Sequence, residues 1–384
     1  MVRIEFNRLR FLVIDDNAHM RRILRTLLHG FGTREVYEAE DGAAGLEAFT
    51  HYSPDIVITD WAMPIFDGLE LTQMIRQPGA NSNPYVPIIM LTGHSEKKRV
   101  IASRDAGVTE FLAKPISAKA LYQRILNVVA NPRPFIHQEL LRAGPPPQRQ
   151  SQLCGRRAPQ GRQGRHHQAA AAARQGKDTR MSTSGKPSMS EKKANLAAVS
   201  TFADHEVILP PNKLKKAVQK VKPGTKVDFD PVASAEAALA ELASDFAQWM
   251  EQECIRLDNA RNLVTASGFS SGNRDVLFRA AHDLKGQAET FGFPMVAPVA
   301  DSLCRLIEHT PDMARIPMPL VDQHVDAIKA IAHKNARGDT EVTAARLAEK
   351  LRTVTEDFLL RENRHRPEYL EQIMSPSIAP SDQG

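Results

Sequence analysis

Phe11-Leu-Val-Ile-Asp-Asp-Asn17 and Ile56-Val-Ile-Thr-Asp60 decide how the first third of this chain folds. Each is a short apolar run ending in acid. Three more runs, Val36-Tyr37, Ile88-Ile-Met-Leu91 and Phe111-Leu112, follow the same rhythm, with five helix-like stretches between Phe11 and about Ala130. Runs apolar on both faces suit a parallel sheet covered by helices, so the spacing predicts a doubly wound, five-stranded α/β domain over residues 8–131. Ligands of such a domain belong at the carboxyl ends of its strands.

Asp15 and Asp16 follow the first run and Asp60 ends the third, so three carboxylates crowd one edge. Like charges that close repel, and a bound cation relieves them. Oxygen-only ligation by a few carboxylates suits Mg²⁺. Thr92 ends the fourth strand, and Lys114, followed by Pro115, comes just after the fifth. Asp60 is then the expected nucleophile for a phosphoryl group, with Mg²⁺ and Lys114 neutralising charge and Thr92 bonding a phosphoryl oxygen. Singly, each of these residues reads as a helix cap or a solvated turn. Together, Val13-Ile-Asp-Asp-Asn17, Thr59-Asp-Trp-Ala-Met-Pro64 with Asp67-Gly68, Leu91-Thr-Gly93 and Lys114-Pro115 resemble the response-regulator receiver family, of flavodoxin-like fold. The resemblance implies metal ligation by Asp16, Asp60 and the Ala62 carbonyl, with Asp15 acting mainly through water. It also puts the family's switch aromatic at Phe111, where Tyr is common; Phe has no hydroxyl, so a rotamer switch here rests on packing alone.

After Pro231 the pattern turns helical. Leu239, Leu242, Phe246, Met250, Cys254 and Leu257 make one stripe, and Leu277, Ala281, Leu284, Ala288 and Phe291 a second. Val296, Val299, Leu303 and Leu306 make a third, Val321, Val325, Ile328 and Ile331 a fourth, and Leu347, Leu351, Val354 and Phe358 a fifth. One-sided helices on short turns bury their stripes together, so an all-α domain of the four-helix-bundle type is expected over 231–362, with a disordered tail over 363–384.

At about 100° per residue His282 points away from its own helix's apolar stripe, on a side shared with Asp275, Arg279, Lys285, Gly286 and Glu289. This predicts an exposed imidazole. A helix-interior Gly costs about 1 kcal/mol relative to Ala, so Gly286 calls for a reason, and a docking partner's access to the imidazole supplies one. His282-Asp-Leu-Lys-Gly286, with Gly292 beyond it, resembles the histidine phosphotransfer domain over about Ala233 to Leu360. The resemblance implies a phosphoryl-carrying His282, and Lys285 one turn on is placed to steady the incoming group. Glu289 departs from the small residue usual there: its charge either favours imidazolium, repels a phosphorylated partner, or is simply solvated. No Walker A loop, Gly-rich nucleotide lid or Asn-rich kinase box accompanies the histidine, so a phosphotransfer protein is expected rather than an ATP-dependent kinase.

Between these domains periodicity disappears. Leu141 to Ser200 holds 12 Lys or Arg against 2 Asp or Glu, so this segment carries +10 and the rest of the chain −5, within a net charge of +5. Residues 138–230 read as a disordered basic linker with room for one short basic helix near Lys213–Lys222. The 95 residues from Gln138 to Val232 have, as a flexible chain, a root-mean-square reach of roughly 50 to 60 Å, enough for Asp60 and His282 to meet. Residues 144–175 also have the Arg, Ala, Gly, Pro and Gln bias of a G·C-rich gene read out of frame.

The chain has 384 residues, 42% of them apolar, which suffices for two or three domains. Three separated cysteines, Cys154, Cys254 and Cys304, and no signal-like N-terminus predict a cytoplasmic protein. No run reaches the roughly 18 apolar residues of a membrane span. The expected function is a phosphorelay step through Asp60 and His282, with a sensor histidine kinase or other receivers as partners. The alternative is a phosphorylation-independent scaffold whose basic linker binds nucleic acid or acidic partners. Against it, the linker lacks the interleaved aromatics of a base-stacking binder.

Overall fold

The first apolar runs become strands because every residue on them has somewhere dry to go. In the computed structural model, which describes residues 2–77, 83–93, 97–137, 198–201, 206–210, 212–220, 229–334, 339–366 and 370, β1 spans Val2–Ile4 and β2 Arg10–Ile14. β3 (Glu35–Ala39), β4 (Ile56–Asp60), β5 (Ile88–Thr92) and β6 (Glu110–Ala113) follow. β4 is buried from end to end, the signature of a central parallel strand. The five strands pair in parallel in the order β3-β2-β4-β5-β6, with Phe11 opposite Ile56, Val57 opposite Ile88 and Ile89 opposite Glu110.

Helices α1 (Ala18–Gly30), α2 (Gly42–Tyr52), α3 (Gly68–Arg76), α4 (Lys97–Asp105) and α5 (Ala118–Ala130) connect them. Their starts are written in side chains: Asn17 accepts from the His19 and Met20 amides, Asp41 from Ala44, Asp67 from Glu70 and Ser117 from Ala120. The expected five-stranded flavodoxin-like domain is therefore present.

The C-terminal region is helical: α6 (Pro231–Leu242), α7 (Phe246–Ser267), α8 (Ser271–Gln287), α9 (Val296–His309), α10 (Met318–Lys334) and α11 (Asp339–Glu362). α7 packs on α8 and α10, α8 on α9, and α9 on α10 and α11, which makes the bundle. Two details differ from the periodicity. The stripe from Leu239 to Leu257 crosses a break at Ala243–Asp245, a tight 3₁₀ turn that preserves the i+3/i+4 spacing and so leaves no trace in the pattern. α6, on the near side of that break, packs against α1 and α5 of the α/β domain. On α11 the buried residues are Ala344, Ala348, Leu351, Thr355 and Leu359, while Leu347 and Val354 are exposed. Small and hydroxyl-bearing side chains carry that face, which a count of bulky apolar residues misses.

The chain divides into two units, residues 1–133 with 212–384, and residues 134–211. In the first, one continuous apolar cluster runs from Ile4, Phe6 and Leu27 through Leu214, Ala217 and Ala235 to Trp249, Leu284 and Leu303. The opposite face of the sheet has its own cluster around Leu12, Ile14, Phe49 and Leu71. The second unit contains β7 (Phe135–His137), β8 (Ala198–Thr201) and β9 (Glu206–Leu209), antiparallel in the order β7-β9-β8. A 3₁₀ turn over Lys213–Ala217 leads into β10 (Val218–Lys220), which pairs antiparallel with β1. Strands and this turn thus occupy parts of 138–230 where sequence predicted disorder and a short basic helix. Alternating polar and β-branched residues, as in Val218-Gln-Lys220, find partners in distant strands that local composition cannot reveal. Residues 138–197, including the 144–175 stretch and Cys154, lie outside the described residues, as does the tail beyond Leu370. Asn363, at the start of the expected tail, is buried and donates to the His309 carbonyl. Among the described residues no helix is long and apolar enough to cross a membrane.

Candidate functional site

Strand ends build the site. Asp15 and Asp16 leave β2, Asp60 closes β4, Thr92 closes β5, and Lys114 follows β6. Asp15, Asp16 and Asp60 each bring a carboxylate oxygen within 4.8 Å of the others. The Lys114 ammonium lies 2.9 Å from Asp60 Oδ1 and 3.2 Å from Asp15 Oδ2, with all three side chains buried. Gly68 is required beside them: a Cβ there would overlap the Asp60 carbonyl oxygen. Ala62 follows Asp60 in the half-buried loop beyond β4, and Phe111 is half-buried on β6.

Burial, with the neighbouring carboxylates adding to it, pushes Asp15 up to about 8 and Asp16 up to about 7. Burial works against charging Lys114, but Asp15 and Asp60 outweigh it and hold the ammonium protonated. Asp16 Oδ1 is buried without a hydrogen-bond partner. Two acids raised in this way and an orphaned oxygen fit a hard divalent cation with oxygen ligands.

The second half of the site comes from the bundle. His282 faces away from the bundle's stripe as its helical angle requires, yet it is only 1% exposed, not the open imidazole expected. The receiver-type domain covers it. Its Nε2 lies 3.3 Å from where a Cβ on Gly93 would stand, one residue beyond Thr92. Helical periodicity fixes a direction and says nothing about a second domain lying in it. Gly286 receives the Lys114 side chain, whose Cδ is 2.9 Å from the position of a Cβ at Gly286. The missing side chain is thus explained by the chain's own lysine.

Around this meeting point runs a polar seam. Arg256 on α7 donates to Asp283 Oδ2 at 2.5 Å and lies 3.5 Å from Glu253 Oε2. Asn17 Nδ2 donates to Glu253 Oε1 at 2.7 Å, and His19 stacks on Trp249 at 4.6 Å. Burial opposes the Asp283 charge, but the His282 imidazole beside it and the Arg256 guanidinium more than offset it and hold its pKa below the ordinary value. Glu253 and Arg256 were not singled out from sequence. The available signal was a charged pair within Trp249, Glu253, Arg256 and Ala260, a second stripe beside the apolar one. Lys285 is placed otherwise than its expected role suggests, since its ammonium pairs with Asp301 on α9 at 2.5 Å. Glu289 is exposed.

An edge-on aspartate cluster at the ends of parallel strands, with a hydroxyl and a lysine beside it, defines a receiver-type domain; the covered histidine belongs to a helical phosphotransfer bundle. The comparisons agree. The response regulator receiver domain family matches residues 11–126 and the Hpt domain family matches residues 241–334. Chemotaxis protein CheY-3 of Vibrio cholerae is 32% identical over 117 residues, covering 30% of this chain and 88% of that protein. Chemotaxis protein CheY of Pseudomonas aeruginosa is 31% identical over 117 residues, 30% of this chain and 93% of that protein. Among solved structures, a response regulator receiver domain protein from Clostridium thermocellum shares 33% identity, covering 32% of this chain and 94% of that one, with a TM-score of 0.29. The chain belongs to the response-regulator receiver family and carries an Hpt domain after the receiver. That pairing makes it a protein of the two-component phosphorelay class.

Proposed function

We propose that Asp60 and His282 exchange a phosphoryl group within one chain, and that His282 carries phosphate between Asp60 and the aspartates of other receivers. The observation that carries this reading is the burial of His282 against Gly93, at the strand edge that holds Asp60, Thr92 and Lys114. In the forward direction a neutral imidazole attacks the phosphorus of the Asp60 acyl phosphate. The N–P bond forms as the bond from phosphorus to the Asp60 oxygen breaks, and the carboxylate departs with the electron pair. No proton has to reach this leaving group.

Lys114 balances the charge on Asp60 and the phosphoryl oxygens, Thr92 donates to one of those oxygens, and Asp283 orients the imidazole from its Nδ1 side, 3.9 Å away. Asp15, Asp16, Asp60 and the Ala62 carbonyl would hold Mg²⁺, which supplies positive charge to the phosphoryl group when bound. Lys285, paired with Asp301, steadies α8 against α9. A sensor histidine kinase or other receivers are the outside partners.

The test loads dilute protein with acetyl phosphate and Mg²⁺ and follows acid-labile, base-stable label. Expected are labelling that stops in Asp60→Asn or excess chelator, and histidine label that forms at a rate independent of protein concentration and vanishes in His282→Gln. Histidine label that rises with protein concentration, or needs an added receiver, overturns the internal exchange.

A further inference from the structure

The receiver and the bundle are joined by more than their two reactive residues. β10 returns to the receiver and pairs with β1, Val2 opposite Lys220 and Ile4 opposite Val218, and the Glu5 amide donates to the Ala217 carbonyl at 2.8 Å. Leu214 and Ala217 are buried in the cluster that holds Ile4, Phe6 and Leu9. Lys216 pairs with Asp55 at 3.3 Å. From there Asp230 caps α6, with Pro231 in its first turn, and α6 lies along α1 and α5.

The contact of α6 with α1 is backbone-close. A Cβ on Gly30 would overlap Ala235 Cα, and Ala235 is fully buried. Beyond α6, Arg22 pairs with Asp245 at 3.1 Å and lies over the Trp249 ring at 5.2 Å. None of these contacts is made by Asp60 or His282 themselves. In the arrangement they hold, Asp60 is 0% exposed and His282 1%.

We infer that residues 212–220 and 229–242 form a clasp that locks the bundle onto its own receiver, closing Asp60 and His282 to every outside protein until α6 lifts from α1. The inference rests on the relay reading for its purpose but not for its geometry. The closed form serves transfer between the two residues. Loading Asp60 from outside, or passing phosphate from His282 to another receiver, requires the clasp to open. Population of the open form then sets the outside rates, whereas the internal rate depends on the closed one.

The test uses the full-length chain and Gly30→Leu, at the last residue of α1, where the three atoms nearest to an added side chain all belong to Ala235. Diethyl pyrocarbonate is applied to the unphosphorylated protein and each histidine is followed by mass spectrometry, with exposed His51 and His333 as internal standards. In the unaltered protein His282 should react far more slowly than both standards. In Gly30→Leu its modification should speed up about tenfold or more, the scale of a shifted two-state equilibrium. Asp60 should also take label from acetyl phosphate faster, which reports that the receiver is folded. Ala235→Glu, which alters only the α6 side, should give the same result and decides the matter if Gly30→Leu does not fold. His282 reacting like His51 in the unaltered protein, or unchanged protection in the folded variant, overturns the clasp. Strong protection without any transfer of label from Asp60 to His282 would keep the clasp and remove the relay.

Discussion

The ring of His282 stands where a side chain on Gly93 would have to go, with Nε2 3.3 Å from that missing first carbon. The receiver edge and the imidazole are fitted to each other through the absence of a methyl group. Filling the gap with Gly93→Val should slow transfer from Asp60 to His282 by about a hundredfold, the scale expected when reacting atoms are displaced by about 1 Å. Labelling of Asp60 by acetyl phosphate should persist. The check is single-turnover label transfer, and an unchanged rate would show that the two residues do not meet in this geometry.

Gly286→Ala should separate stability from function. A helix-interior Gly replaced by Ala stabilises a helix by up to about 1 kcal/mol. At this site the new methyl also meets the Lys114 side chain, a flexible group that can yield only by leaving its place between Asp15 and Asp60. A higher melting temperature together with slower transfer is the expected result. Faster or equal transfer would show that Lys114 has no need of that space.

Inside the bundle, His324 is fully buried with Nδ1 2.7 Å from the Leu320 carbonyl, to which it donates, and Nε2 2.9 Å from Ser302 Oγ, from whose hydroxyl it accepts; Thr355 Oγ1 lies 3.1 Å from that Oγ. This pattern holds a neutral ring with its proton on Nδ1. Burial lowers the pKa below 6.5, so in acid the unfolded chain binds a proton that the fold refuses. Stability then falls as pH drops below about 6.5 and is fully present above it. Thermal melts between pH 5 and pH 8 should show this slope, and His324→Gln should flatten it; an equal slope in the variant would assign the effect to other groups.

Much of the site was legible because strand ends leave little freedom. Once Ile14 and Thr59 are neighbours in a parallel sheet, Asp15, Asp16 and Asp60 have to converge. The direction of His282 was legible for the same kind of reason, since helical angle is a local property. Its burial was not, because the covering residue, Gly93, lies far away in the chain. Glu289 shows the converse: it was a suspect by position on the helix, and the structure leaves it in solvent. The buried face of α11 was misplaced by three residues at its start, where Ala344 rather than Leu347 meets the bundle. Local pattern weighs a residue's size and oiliness, while packing weighs whether its shape fits the facing surface.

The pairing of β10 with β1 changes what the middle of the chain is for. The polypeptide leaves one body after Arg133 and re-enters it at Asn212, so the intervening stretch is an insertion and not a tether. The encounter of Asp60 with His282 is then indifferent to that stretch's length, since no random coil has to bring them together. Insertions or deletions between 144 and 175 therefore leave the spacing of Asp60 and His282 unchanged, because both residues lie in the unit formed by residues 1–133 and 212–384.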